Sequence, residues 1–376
     1  MENNMQWVAE AVEKIKEKMA WVSVKSQEKI PAGTLPDGTH DDWSADDKID
    51  WWTNGFWGGL LWLLYAKTKD ESYAKIAAFS EKKLDRGLEM FENLHHDVGF
   101  MWMPTSVSSY RLTGDMESKR RALHAAAILA GRFNPAGQFI RAWNTWPDSE
   151  NTGWAIIDCM MNLPLLYWAA KELNDPRFRH IAMCHADMAM KHFVRPDGSV
   201  KHIICFDPET GEYINNRTGQ GYDENSSWTR GQAWGLYGFT LSYMYTGKKE
   251  YLDTAKRIAH YFMANIPESG LIPVDFRQPR EPNWEDSSAA AIAACGLLEI
   301  VEHVPDLEKD MYKNAAVRLL KTLYDKRCNW TKDNDCIVEK CTGLYHTENH
   351  EFNLIYGDFY FVEGVFRLTG DWYMTM

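Results

Sequence analysis

The sequence predicts an all-α fold, an (α/α)6 barrel in which six helical hairpins close into a toroid. A short turn motif, of which Leu112–Asp115 is one copy, recurs six times along the chain. An apolar stretch with helical spacing precedes most copies, and an amphipathic stretch follows most of them. Because no linker rich in Pro, Gly or Ser divides the chain, we expect a single domain over residues 1–376.

The turn motif has the chemistry of a link between two antiparallel helices. Its Gly or Asn suits the left-handed residue that ends a helix, and its Asp or Thr suits the cap of the next helix. The copies begin at residues 67, 112, 173, 245, 304 and 368, at intervals of 45 to 72 residues. An open helical solenoid is the alternative, but such an array needs polar end repeats. We favour closure because the N-terminal helix is available to pair with the incomplete last hairpin.

The predicted helices alternate between an inner, apolar ring and an outer, amphipathic ring. The inner helices are predicted over Gly55–Ala66, Phe100–Leu112, Ile156–Leu173, Gly231–Tyr245, Ser287–Val301 and Gly357–Leu368. The outer helices are predicted over Met5–Val22, Glu71–Arg86, Met116–Phe133, Pro176–Phe193, Lys249–Ile266 and Leu307–Tyr324.

Long connections lead from each outer helix to the next inner helix, whereas the turns within hairpins are short. The long connections are Ser23–Asn54, Gly87–Gly99, Asn134–Gly153, Val194–Thr229, Pro267–Asp286 and Asp325–Tyr356. They all end at N-termini of inner helices, so one rim of the barrel collects both the loops and the helix N-termini. Exposed N–H groups at helix N-termini favour anions. We therefore expect the functional cleft at this rim, with a small carboxylate as its ligand.

Composition and charge exclude several classes of protein. The 376 residues carry a net charge of −12, which disfavours non-specific binding to nucleic acid. The longest apolar runs, Gly58–Ala66 and Leu163–Ala170, are too short to cross a bilayer. The N-terminal residues show no signal-peptide pattern, and the seven cysteines suit buried thiols in a reducing compartment. We expect a cytoplasmic monomer or homodimer without a nucleic-acid or membrane partner.

Two aspartates are the strongest candidates for chemistry. Asp158 lies in the apolar run of an inner helix, where loss of water raises the pKa of a carboxyl group toward acid–base duty. Asp97 follows two histidines and opens the preceding inner helix. On adjacent hairpins they form a carboxylate pair of the kind used at glycosidic carbons. The alternatives are a buried aspartate that caps a neighbouring helix for Asp158 and a plain N-cap for Asp97.

Aromatic and basic residues of the long connections suit ligand binding. Trp52, Trp143, Trp228 and Trp234 are expected on the rim, where indole rings stack on sugar rings, although core packing is the usual role of a lone tryptophan. Arg230 is expected to meet a substrate anion, with a surface arginine as the alternative.

Metal and cofactor chemistry are not expected. His95–Asp97 lacks the spacing of a helical metal-binding motif. The same holds for a possible zinc cluster of Cys328, Cys336, Cys341 and His346. The chain also has no G-x-S-x-G motif, Walker loop or Rossmann glycine fingerprint.

Six longer motifs lie along the connections and the inner helices. They are DWWTNGFW, NLHHDVGF, AIIDCMMNLPLL, CFDPETG, SSWTRGQAWGLYGF and DSSAAAIAACGLLEI. Together, from about Trp51 to Asp371, they resemble the unsaturated glucuronyl hydrolases of glycoside hydrolase family 88. The resemblance implies an (α/α)6 barrel that needs neither metal nor cofactor.

The resemblance also implies a reaction. Polysaccharide lyases leave oligosaccharides, including those of glycosaminoglycans such as chondroitin and hyaluronan, that end in a 4,5-unsaturated glucuronic acid. Family members hydrate this double bond: a proton goes to C4 and water adds at C5. The hemiketal then opens and releases a keto-uronate and the remaining sugar.

Individual residues take roles from the same resemblance. Asp158 matches the acid/base that protonates C4 and then helps to activate water. Asp97 matches the second carboxylate, which contacts the sugar hydroxyls. The expected substrate-binding residues are Trp52, His96, Trp143, His202, Gln220, Trp228, Arg230, Trp234 and Tyr345.

The sequence departs from the family pattern at two places. Gly219 precedes Gln220 where the family often has His, and the signature of sulfate-tolerant members is not found cleanly in Lys340–Thr347. We therefore make no prediction about sulfated substrates. Three alternatives stay open: a related unsaturated rhamnogalacturonyl hydrolase, a histidine-dependent sugar epimerase and a non-catalytic carbohydrate-binding toroid.

Overall fold

The structure is a computed structural model that describes residues 5–146, 149–348 and 350–376. It confirms the all-α (α/α)6 barrel, because an outer ring of half-buried helices surrounds an inner ring of almost fully buried ones. The outer helices are α1 (Gln6–Lys25), α3 (Glu71–Lys83), α7 (Met116–Gly131), α9 (Pro176–His192), α11 (Lys249–Ala264) and α13 (Asp306–Lys326). A short helix, α4 (Asp85–Glu89), follows α3.

The inner ring contains α2 (Asn54–Thr68), α5 (Val98–Trp102), α6 (Ser108–Thr113), α8 (Leu163–Leu173), α10 (Thr229–Thr246), α12 (Ser287–His303) and α14 (Ile355–Leu368). A π-helical turn, Met103–Val107, joins α5 to α6, so the two act as one inner helix. The inner helices are apolar on every side because they pack both on one another and on the outer ring.

The last inner helix closes the ring by packing against the first. Gly59 of α2 makes this approach possible, since a Cβ atom there would lie 2.9 Å from the Phe359 ring of α14. The N-terminal helix packs against α14, the incomplete last hairpin, and the ring of its Trp7 lies 5.6 Å from the ring of Tyr324 in α13. The barrel is therefore closed, and the solenoid alternative is wrong.

The turns within hairpins have the predicted chemistry. Asp70, Asp115 and Asp175 each cap the following helix by accepting a hydrogen bond from a backbone N–H two residues later. Gly114 and Gly247 end their helices with φ angles of 77° and 69°, a region in which glycine has no steric penalty.

Two small sheets in the long connections were not predicted. One pairs β1 (Phe133–Asn134) with β2 (Phe139–Ile140). The other is antiparallel, in the order β3 (Trp154–Ile156), β4 (Ile203–Phe206) and β5 (Tyr213–Arg217).

The start of the third inner helix was predicted wrongly. The prediction began at Ile156, but α8 begins at Leu163 because Ile156 pairs with Ile203 in the second sheet. Residues 157–161 form a 3-10 turn between this strand and α8. Asp158 therefore lies on a tight turn at the rim and not inside a regular helix. Within the three described ranges, no helix is long and apolar enough to cross a membrane.

Candidate active site

A cleft with a volume of about 620 Å³ opens on the rim where the long connections meet. Its walls come from the connections that precede α2, α5, α8, α10 and α14. Five of the predicted site residues line it: Trp52, Asp97, Trp143, Asp158 and Gln220. The other lining residues are Asp50, Trp51, Asn93, His95, Asn144, Thr145, Trp146, Gly219 and Leu344.

Asp97 occupies the N-cap position of α5 but its side chain does not cap the helix. Its Oδ1 atom accepts a hydrogen bond of 3.0 Å from the side-chain amide of Asn162. Its Oδ2 atom lies 3.5 Å from Nδ1 of His95 and 3.4 Å from Nε2 of His96. The alternative of a plain N-cap is therefore wrong, and the carboxyl group faces the cleft and the two imidazoles.

Asp158 reaches the cleft from the 3-10 turn, and its Oδ1 atom is shielded from solvent. Among the described residues, this oxygen has no hydrogen-bond partner. Burial raises the pKa of Asp158 to about 7, although the nearby charge of Arg230 opposes the shift. An aspartate with such a pKa can both give and take a proton near neutral pH.

The pKa of Asp97 is also raised, well above the ordinary value. Burial is the main cause, and the charge of Asp158 adds to it. The hydrogen bond from Asn162 and the charge of Arg132 act in the opposite direction. The cleft floor thus holds two carboxyl groups that influence each other and lack a neutralising salt bridge.

His95 and His96 surround the Asp97 carboxyl group as neutral imidazoles. Burial lowers the pKa of His95 to about 4 and that of His96 well below its ordinary value. One ligand atom from each of His95, His96 and Asp97 lies within 4.8 Å of the others, so these three residues could hold a metal ion. Across the described ranges no other such group forms, and the expectation of a metal-free site stays a prediction.

His202 lies under the loop that carries Gln220. Its Nδ1 atom accepts hydrogen bonds from the backbone N–H groups of Gly219 (2.9 Å) and Gln220 (3.2 Å). Because Nδ1 accepts, the ring proton belongs on Nε2. The imidazole packs on the indole ring of Trp228, with 4.4 Å between their centroids. His202 therefore shapes the cleft through the Gln220 loop.

Arg230 lines a second cavity, of about 420 Å³, which shares Trp51, Trp52, Gln220 and Leu344 with the first. Its Nη1 atom donates to Oδ2 of Asp286 at 2.6 Å, and its Nη2 atom donates to the carbonyl of Gly343 at 2.8 Å. Asp286 and the Gly343 carbonyl therefore hold the guanidinium group in place, and its charge still acts on Asp158.

Two of the four tryptophans expected on the rim, Trp228 and Trp234, do not line the cleft or the cavity beside it. Trp234 is fully buried in the barrel core, where its ring lies 5.0 Å from Phe100 and 5.5 Å from Tyr360. It lies on the second turn of an inner helix, and such positions face other inner helices. Trp228 is buried between His202 and Arg230. Both indoles pack against neighbouring side chains here, and their role in substrate binding stays a prediction.

His96, His202, Trp228 and Tyr345 support the cleft from behind. All four are buried, and none of them lines either cavity. Tyr345, for example, donates its backbone N–H to the Gln220 carbonyl at 3.0 Å. The structure places them next to lining residues and not at the cleft surface.

Sequence reasoning missed Asn162 and the exposed tryptophans Trp51 and Trp146. Asn162 is fully buried and contacts both aspartates, and its signal was an amide inside the apolar run CMMNLPLL. Trp51 and Trp146 are 42% and 47% exposed and line the cleft. Their signal was a position in the same long connections as Trp52 and Trp143.

A closed helical toroid with two desolvated carboxyl groups and several indole rings in its rim cleft defines an enzyme that acts on carbohydrates. The sequence matches Glycosyl Hydrolase Family 88 over residues 22–367. The chain belongs to this family and is a glycosidase.

Curated relatives and solved structures agree with this assignment. The unsaturated glucuronyl hydrolase of Bacillus sp. (strain GL1) is 40% identical, over 87% of this chain and 89% of its own length. The unsaturated chondroitin disaccharide hydrolase of Streptococcus pneumoniae is 34% identical, over 85% of this chain and 82% of its own. A crystal structure of the Bacillus sp. GL1 enzyme, described as responsible for the degradation of glycosaminoglycan, superposes with a TM-score of 0.89 and 35% identity over 96% of each chain.

Proposed function

We propose that this enzyme hydrates the C4=C5 double bond of a 4,5-unsaturated glucuronic acid at the non-reducing end of lyase-derived oligosaccharides. Glycosaminoglycan disaccharides such as those of chondroitin or hyaluronan are the proposed substrates, and a keto-uronate and the remaining sugar are the products. The observation that carries the proposal is the Asp158 carboxyl group, which faces the cleft and whose pKa burial raises to about 7. The activities of the family relatives support the choice of substrate.

Asp158 is the proposed acid and base. In its protonated form it gives its proton to C4, and positive charge develops at C5 next to the ring oxygen. Water then adds at C5 and returns a proton to the Asp158 carboxylate. The C5 hydroxyl makes a hemiketal, which opens and breaks the glycosidic bond. The same carboxyl group starts and ends protonated, so the cycle balances without a metal or cofactor.

Asp97 is the proposed holder of the sugar ring. Its Oδ2 atom borders the cleft between two neutral imidazoles, and hydroxyl groups of the substrate can bind to it there. Trp52 and Trp143 line the same cleft and are proposed to stack on sugar rings through their indole faces. Gln220 and Arg230, on the wall of the second cavity, are proposed to bind the uronate carboxylate.

The remaining expectations are proposals of the same kind. We propose one catalytic domain over residues 1–376, supported by the packing of α1 against α14. A cytoplasmic location is supported by seven cysteines that form no disulfide within the described residues. A monomer or homodimer is the proposed assembly.

Ultraviolet absorbance tests the reaction directly, because hydration destroys the conjugated enol-ether carboxylate of the substrate. We expect loss of absorbance with unsaturated chondroitin disaccharide, and the rates with and without sulfate give the sulfation preference. Above about pH 7, kcat/KM is expected to fall about tenfold per pH unit, since Asp158 must begin protonated. If absorbance persists with these substrates but falls with the pectin-derived disaccharide, the proposed function is wrong and the rhamnogalacturonyl alternative is correct.

A further inference from the structure

Asn162 connects the two aspartates of the cleft floor. It is fully buried at the end of the 3-10 turn, directly before α8. Its Nδ2 atom donates to Oδ1 of Asp97 at 3.0 Å and to the carbonyl oxygen of Asp158 at 3.2 Å. Its Oδ1 atom accepts the backbone N–H of Phe100 at 2.8 Å. One side chain thus joins the Asp158 turn to the helix that Asp97 opens.

The direction of the hydrogen bond from Asn162 has a chemical consequence for Asp97. An amide nitrogen donates and does not accept, so Oδ1 of Asp97 must be the acceptor. A proton on the Asp97 carboxyl group therefore belongs on Oδ2. That atom faces His95 and His96 at 3.5 and 3.4 Å.

The backbone around Asn162 packs directly against the segment that carries Asp97, so a shift of one segment moves the other. A Cβ atom at Gly99, two residues after Asp97, would lie 2.5 Å from the Asn162 Cα atom. The two backbone segments are therefore in direct contact, and a side chain at position 99 would separate them. Loss of the amide would leave the Asp97 Oδ1 atom without this partner in a buried environment.

We propose that Asn162 is a positioning residue, whose side-chain amide fixes the proton-bearing oxygen of Asp97 and the placement of Asp97 relative to Asp158. Asn162 is fully buried and acts through the two aspartates without touching substrate. This inference rests on the proposed function for its kinetic test, but its structural part can be measured without turnover.

The kinetic test replaces Asn162 by Asp, which has the same shape and still accepts from Phe100. The ionised side chain cannot donate to Asp97, and it places a second negative charge beside it. At pH 8 we expect kcat to fall about 100-fold with KM changed less than about threefold. At acidic pH the protonated Asp at position 162 can donate, so activity relative to the unsubstituted enzyme is expected to recover. An equal loss at every pH would overturn the proposal.

The pH comparison depends on the groups around Asp97. These are His95 and His96 from its own loop, Asp158 and Cys159 from the 3-10 turn, and Arg132 at the end of α7. The substitution replaces none of these groups, and activity is compared with the unsubstituted enzyme at each pH to account for their own titration.

Asn54 provides the matched control. It is another fully buried amide, and its Nδ2 atom donates to the carbonyls of Lys48 and Ile49 at 3.0 Å each, without contact to either aspartate. For Asn54→Asp we expect a lower Tm and a pH profile of unchanged shape. A profile for Asn162→Asp that matches the Asn54→Asp profile would assign Asn162 a merely structural role and overturn the proposal.

A titration by NMR separates this inference from the proposed function. The Asp97 carboxyl carbon, labelled with ¹³C, is followed in the unsubstituted protein and in Asn162→Ala, without substrate. We expect a higher pKa for Asp97 in the variant, because the lost hydrogen bond favoured the carboxylate. An unchanged pKa in a folded variant would overturn the inference, whereas an enzyme inactive on every unsaturated uronide would overturn only the proposed function.

Discussion

Two groups of buried acidic residues in this barrel differ in whether a cation is paired with them. On the cleft floor, Asp97 and Asp158 have no neutralising salt bridge, and the pKa of each is raised. At the other end of the inner ring, Arg367 of α14 pairs with Glu299 and Glu363. Burial opposes ionisation of Glu299 too, but His303 and Arg367 hold the pKa of Glu299 below its ordinary value.

The second cluster is itself mixed: Arg367 and His303 hold Glu299 as a carboxylate, whereas burial raises the pKa of Glu363 although Arg367 opposes the shift. Arg367 also donates to the hydroxyl of Tyr237 at 2.9 Å, so its cluster joins α10, α12 and α14. The cluster holds three inner helices together, although one carboxylate oxygen of Glu363 has no hydrogen-bond partner among the described residues. The cleft floor lacks such a cation, and its carboxyl groups stay able to exchange protons. On the cleft floor burial raises the pKa of both carboxyl groups, and among the described residues no Lys or Arg forms a salt bridge with either of them.

The largest expected effect comes from removing the acid of the cleft floor. Asp158→Asn is expected to lower kcat by at least about 1,000-fold while substrate binding persists, since the amide keeps the shape but has no acidic proton. Steady-state absorbance kinetics and a binding titration check both halves of the prediction. Turnover at the rate of the unsubstituted enzyme would remove the proposed role of Asp158.

Removing the cation of the other cluster is expected to affect stability and not chemistry. Arg367→Met leaves Glu363 buried without a cation and Glu299 with only His303 beside it, and we expect a loss of about 3–5 kcal/mol in the free energy of unfolding. Denaturant unfolding measures the loss, and kcat of the folded fraction is expected to stay unchanged. A large fall in kcat with unchanged stability would reverse the assigned roles of the two regions.

The stability of the cleft floor is expected to depend on pH. The pKa of Asp158 is 3.8 in the unfolded chain and about 7 in the folded protein. The contribution of its protonated carboxyl group to the free energy of unfolding is therefore fully present below about pH 4 and is lost as the pH rises through 7. Asp158→Asn avoids this loss. Its free energy of unfolding is expected to exceed that of the unsubstituted enzyme at pH 8, by at most about 4 kcal/mol.

Urea unfolding of both proteins at pH 4 and pH 8 measures this difference. Near pH 4 the two are expected to be equally stable, because the Asp158 carboxyl group is then protonated in the native state. The same gap at both pH values would show that desolvation does not raise the pKa of Asp158.

The smallest expected effect is on KM, and it compares a tryptophan in the cleft with a tryptophan in the core. Trp143→Ala is expected to raise KM about tenfold with little change in kcat, because a stacking surface for a sugar ring is lost. Trp234→Phe is the matched substitution in the core and is expected to lower Tm and leave KM unchanged. Michaelis–Menten kinetics on the disaccharide, with thermal unfolding of both variants, checks the pair. Equal KM values for the two variants would contradict the assigned stacking role of Trp143.

Helical periodicity and turn chemistry were sufficient to predict the barrel, because both depend on residues close in sequence. The caps at Asp70, Asp115 and Asp175 are local signals of this kind. The strand Trp154–Ile156 was not predictable in the same way. Its partner, Ile203–Phe206, lies in a different connection, and only the folded chain brings the two together.

Within the site, the sequence identified residue types better than their surroundings. Asp97 and Asp158 were predicted as a pair because they lie on adjacent hairpins, and both line the cleft. Trp234 has the same local context as a rim residue, yet the side of α10 on which it lies places it in the core. Asn162 was overlooked because its importance consists of contacts to Asp97 and Phe100, distant in sequence.

The sequence alone determined the helical hairpins, the rim that collects the long connections and the carboxyl groups available there, since these follow from local spacing and side-chain chemistry. The tertiary structure decided which carboxyl groups are desolvated, which have a cation beside them and which indoles reach the cleft. These properties depend on the distance to groups far along the chain, and burial changes the pKa of a carboxyl group only after the chain has folded around it.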